Sequence, residues 1–164
     1  MTIRTLNDLY LDQLQDIYSA NKQSLDATKQ LREKASSSDL TTALEDGVKG
    51  ISQGMEKVKG LIEGHDADPN GEFCKGMEGL VKEAKAHAIN ADIEDKDVLD
   101  ASIITQYQRM CHYAIAGYGC LHAFAKRLKL DDEADTLYKC LDNTYEGDRR
   151  MTDIAVGGVN SEAA

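Results

Sequence analysis

The stretch from Val98 to Leu128 reads VLDASIITQYQRMCHYAIAGYGCLHAFAKRL. Ile104, Tyr107, Cys111, Ala114, Tyr118, Leu121, Ala125 and Leu128 recur along it in alternating steps of three and four. That spacing is one face of an α-helix, and no proline interrupts it. The tight connection KLDD (Lys129 to Asp132) leads into a second helical pattern, about Glu133 to Val156, with Leu137, Leu141, Thr144, Asp148, Met151 and Ala155 in its stripe. A connection this short makes the two helices antiparallel neighbours, so residues whose numbers sum to about 260 share a level. The pairing places His112 beside Asp148 and Cys120 beside Cys140.

Working outward, the N-terminal third holds a matching hairpin. Its first helix runs from about Leu6 to Arg32, on a stripe through Leu6, Tyr10, Leu14, Ile17, Leu25 and Thr28, with Asn21 on the same face. Ser36, Ser37 and Ser38 break it, and one of these serines or Asp39 caps the next helix. That helix spans about Leu40 to Ile62, with Leu44, Val48, Ile51, Met55, Val58 and Ile62 inward. It also carries Gly47, Gly50, Gly54 and Gly60. Each glycine costs up to about 1 kcal/mol against alanine in a helix interior.

Between the hairpins lie GHDADPNG (Gly64 to Gly71), a short helix at roughly Lys75 to Ala88, and the charged linker NADIEDKD. Two helical hairpins joined by one long crossover are the mark of a ferritin-like four-helix bundle, here with one additional short helix in the crossover. The expected fold class is therefore all-α. The chain is read as a single domain over 1–164, with GGVNSEAA (157–164) as a frayed tail. No internal repeat and no strand pattern is visible.

Composition narrows the function classes. A formal net charge of −10 over 164 residues argues against nucleic acid and against anionic lipid. No run of about 20 apolar residues suggests a membrane span, and the N-terminus lacks the apolar core of a signal peptide. The expected location is the cytoplasm. Cys74, Cys111, Cys120 and Cys140 form no CxxC pair, so neither a zinc site nor a dense disulfide framework is indicated. Reduced packing cysteines are the default reading. His65, Asp66 and Asp68 read as a solvated turn; His87 and His122 stand alone. Lys126, Arg127, Arg149 and Arg150 are small basic spots near helix ends.

Several segments carry a family resemblance. LYLDQLQDIYSANKQ (Leu9 to Gln23), FCKGMEGLVKEA (Phe73 to Ala84), HYAIAGYGCLHAFAKRL (His112 to Leu128) and MTDIA (Met151 to Ala155) resemble the YciF-type bacterial stress proteins, in order and over most of the chain. The resemblance implies a ferritin-like fold, a homodimer, a link to stress responses and a poorly defined biochemical role. It also implies the pattern of a di-iron or di-manganese carboxylate protein, with acidic residues facing inward from all four long helices.

Here those positions differ. Asn21 stands where the first helix of the family carries Glu, and Gly50 stands at the Glu of the second, one turn before Gly54. Cys111 and Ala114 flank His112–Tyr113 where the family has two glutamates. The last helix offers Thr144 and Asp148, of which only Asp148 is acidic.

A di-metal carboxylate site draws about four carboxylates and one or two imidazoles from facing helices. Their charge must neutralise two divalent ions in a low-dielectric core. Asn21, Gly50, Gly54, Cys111, Ala114, Thr144 and Asp148 supply one formal charge between them. No metal and no other cofactor is therefore expected. His112 and Asp148 are expected as a polar core pair; no nucleophile or oxyanion donor accompanies them, so no catalytic residue is assigned. The reading is of a non-catalytic, stress-associated structural or interaction protein. Alternatives are a small-molecule binder using the vacated bundle centre, or a di-iron or di-manganese oxidase or storage protein with atypical ligands. Removal of large side chains leaves either closer helices or a cavity at mid-bundle.

Overall fold

A computed structural model describes residues 2–164. Helix α1 spans Leu6–Lys34, α2 Ser38–Gly64, α3 Lys75–Ala84, α4 Lys96–Leu128 and α5 Asp131–Ile154. No strand occurs among the described residues. None of the helices is long and apolar enough to cross a membrane.

Local chemistry sets the helix ends. Thr5 and Asp8 make a reciprocal capping box at the start of α1. Ser37 caps α2, and the Cys74 sulfur takes the Met77 N–H at the start of α3. Asp95 caps α4 by accepting from Asp97 and Val98. α4 ends at Lys129, which turns into the left-handed region at φ 63°, ψ 34°. That residue is the hinge of the α4–α5 hairpin.

The pairs α1·α2, α4·α5, α1·α4 and α2·α5 are the packed neighbours of the bundle. The crossover returns along it, so α2 and α4 lie on the diagonal and run the same way: Tyr107 reaches Gly47, and eleven residues on Tyr118 reaches Gly54. α3 lies against α1 and α4. One core joins all the helices, with Leu14 and Ile17, Leu44 and Val58, Met77, Ile103 and Leu121, and Leu137 and Met151 among its closed side chains.

Two segments add detail to the sequence reading. The crossover helix covers its expected span, but leaves α-geometry at Ala84 and continues as one π-turn over Lys85–Ile89. In the tail, the helical backbone widens over Ala155–Val159 and kinks at Gly158 (φ 179°, ψ −52°), Asn160–Glu162 makes a last helical turn (α6), and Val159 is buried. An apolar side chain with a place in the core holds backbone that composition alone leaves loose.

Candidate functional site

Of the two outcomes open at mid-bundle, closer helices or a cavity, the structure has the cavity. A cavity of about 390 Å³ opens between α2 and α5 and reaches inward to α1 and α4. Six of the seven positions singled out in the sequence line it: Asn21, Gly50, Gly54, Cys111, Ala114 and Thr144. Asn21 is buried, and its Nδ2 donates to the Tyr118 hydroxyl at 2.7 Å. Gly50 is not a core position, since it lies exposed at the mouth. Thr144 turns its hydroxyl back to the Cys140 carbonyl of its own helix.

The glycines of α2 have distinct reasons. A Cβ at Gly47 would collide with the hydroxyl and ring of Tyr107, and one at Gly54 would lie 2.9 Å from the Tyr118 hydroxyl. Two phenols from α4 thus cross the bundle and occupy part of the space. A Cβ at Gly50 would meet nothing within 4 Å, so this glycine borders the open part.

Asp148 does not face the centre. It accepts from Gln108 Nε2 at 3.1 Å, and His112 Nε2 lies 3.2 Å from the same oxygen. The predicted pair forms, but at the edge of the α4–α5 seam rather than in the core: the His112 side chain is 66% exposed and that of Asp148 17%. The inward face of α5 instead runs through Leu137, Cys140, Thr144, Gly147 and Met151. Steps of three and four both fit a helical stripe, and the wrong choice turns a side chain by about 100°. The same choice put Leu141 in the stripe, where it is only partly buried.

The electrostatics of the centre favour neutral groups. Burial pushes the Cys111 thiol up to about 12, with Tyr107 pulling the other way and Asp148 adding to the rise. Burial also raises the Tyr107 and Tyr118 phenols well above their ordinary range, and it raises Cys140. Desolvation disfavours the charged form, so phenols and thiols here stay protonated near neutrality. The charged lining residues are exposed: Arg150 of α5 meets Asp46 of α2 at 2.7 Å, Lys49 joins Asp46 at 3.2 Å, and Lys57 and Glu146 stand on the same rim.

This donor set does not fit two divalent ions. The inner wall offers an amide, two phenols, thiols and hydroxyls, and no carboxylate. No group of three or more His, Cys, Asp or Glu side chains converges anywhere among the described residues.

Other polar clusters lie outside the cavity. His65 closes α2 and places Nε2 3.0 and 3.1 Å from the carboxylate oxygens of Glu133, which also accepts from the buried Tyr10 hydroxyl at 2.6 Å. Three helix ends meet there. The solvated-turn reading missed this, and no sequence signal links positions 65 and 133. The Cys74 thiol donates to the Tyr113 hydroxyl at 2.9 Å, which donates to Asp16 at 2.8 Å. All four cysteines are free; Cys120 is exposed while Cys140 is buried, so the predicted level does not make them a bonded pair.

The family model described as a domain of unknown function, DUF892, matches residues 5–164. Protein YciF of Escherichia coli (strain K12) is 30% identical over 167 residues, covering 99% of this chain and 98% of that protein. The crystal structure of that E. coli stress protein superposes with a TM-score of 0.89 at 30% identity, over 96% of this chain and 99% of the other. YcfI of Rhodopseudomonas palustris, for which a structural role has been conjectured, gives a TM-score of 0.85 at 33% identity, over 92% and 94% of the two chains.

Proposed function

The chain belongs to the DUF892 family, and on that premise we propose that it is a non-catalytic, stress-associated scaffold of ferritin-like type that has given up di-metal chemistry. The observation that carries this reading is the chemistry of the bundle centre. Asn21, Gly54, Cys111, Ala114 and Thr144 stand at the inward positions, and the one nearby acid, Asp148, is turned to Gln108 and His112. Two dications held without several carboxylates would leave their charge uncompensated in a low-dielectric interior. The stress association comes from the E. coli relative, which is described as a stress protein.

The same reading takes the protein to be a cytoplasmic homodimer. Four unpaired thiols suit a reducing compartment. Tyr138 and Tyr145 project from the outer side of α5 and offer apolar surface to a second copy.

The test is direct. Purified protein is incubated with ferrous or manganous ion, passed through gel filtration and assayed for metal by mass spectrometry. Substoichiometric metal is expected. One or two tightly held ions per chain would overturn the proposal.

A further inference from the structure

We propose that the cavity between α2 and α5 is a binding site for a small, neutral, flat aromatic molecule bearing a hydroxyl, a ligand of the phenol class. A cavity of about 390 Å³ falls within the range of small-molecule sites. Its inner wall is made by the rings of Tyr107 and Tyr118, the Met110 thioether, the Cys111 thiol and the Ala114 methyl. These surfaces suit an aromatic ring through edge and sulfur contacts. The charged side chains of the lining, Asp46, Lys49, Lys57, Glu146 and Arg150, are all exposed residues at the rim, so a charged group carried to the inner wall would be desolvated there without a close partner.

One polar demand remains inside. Asn21 is 4% exposed, and its amide nitrogen is committed to Tyr118. Its side-chain oxygen has no protein partner, yet no sealed polar atom of the described residues lacks one. The oxygen therefore opens onto the cavity. A ligand hydroxyl satisfies it, and can serve either end of a carboxamide as donor or acceptor.

The mouth is kept clear by an absence that the fold does not require. Gly47 and Gly54 make way for tyrosines, but Gly50 between them makes way for no protein atom. Alanine, and every other residue type except proline, would hold α2 better. Gly50 of α2 and Thr144 of α5 both line the cavity, and exposed Gly50 marks its entry. Interiors normally close over unused space, and this one is left lined and open.

The experiment is a fluorine NMR titration of the full chain with 4-fluorophenol and, separately, fluorobenzene. Saturable one-site binding of 4-fluorophenol is expected, with a dissociation constant on the order of 10⁻⁴ to 10⁻³ M for so small a ligand. Fluorobenzene should bind roughly tenfold more weakly, because it leaves Asn21 unpaired. Gly50→Leu fills the entry from α2 and Thr144→Leu fills the cavity from the α5 wall, and each should abolish saturation while circular dichroism shows an intact helical fold. Asn21→Leu should erase the difference between the two probes. Absence of saturation in the parent protein overturns the proposal. So does undiminished binding in whichever of these two leucine variants folds, or equal affinity of the parent for both probes.

Discussion

A methyl group at Gly47 would run into the Tyr107 ring, whereas one at Gly50 would find open space three residues on, along the same face of α2. Helix propensity treats the two glycines alike; their surroundings do not. Gly47→Ala should therefore destabilise the protein by about 1–3 kcal/mol in urea denaturation, through overpacking against a buried ring. Gly50→Ala should stabilise it by up to about 1 kcal/mol. Adding Tyr107→Phe to Gly47→Ala should restore part of the loss, which a double-mutant cycle would read as coupling. The thiols offer a second contrast. Cys120 is exposed, while Cys74, Cys111 and Cys140 are buried and have raised pKa values. A disulfide reagent at pH 8 should label Cys120 rapidly and the others only after unfolding. Cys111 rises from an ordinary 9.0 to about 12 on folding. The folded state then holds the proton after the unfolded state has lost it. This contribution is complete below about pH 9 and is lost as pH climbs toward 12. The urea midpoint should fall over that window, and less steeply in Cys111→Ala.

At the scale of the element, the sequence was most legible where periodicity was long. The span read from Val98 to Leu128 is α4 to within two residues, and the α2 span starts and ends within two residues of its expected limits. Capping chemistry explains the small extensions, because Asp95 and Ser37 satisfy the first free N–H groups one turn earlier than the apolar stripe begins. α5 was misread by one position, and this moved Asp148 from its true place beside Gln108 to the centre of the bundle. Burial decides such a case, and burial is a property of the neighbours. The hairpin turn itself carries strain, since Lys129 takes a left-handed conformation that a β-carbon disfavours. Lys129→Gly should raise stability by up to about 1 kcal/mol, measured as an upward shift in the melting temperature without change in helical content.

Across the whole molecule, the two hairpins are tied together at both ends by polar groups that no local pattern announces. At one end Asp100 is fully buried in α4 and accepts from the Ser36 N–H, the Ser36 hydroxyl and the Ser37 N–H, each at 2.8 Å. At the other, Glu133 holds His65 and Tyr10. Asp100→Ala should cost roughly 2–4 kcal/mol in urea denaturation, because it strips three donors of a charged acceptor in a closed site. Asp100→Asn should cost less. The sequence by itself determined the all-α bundle, its two hairpins and crossover, and the uncharged side chains at Asn21, Cys111, Ala114 and Thr144, because helical periodicity and residue identity are local quantities. Only the tertiary structure decided that Tyr107 and Tyr118 cross the bundle to Gly47 and Gly54, and that Asp148 looks outward. It also decided that the space beside Asn21 stays open. Those outcomes depend on how side chains from four helices divide one shared volume, a balance that none of the helices fixes alone.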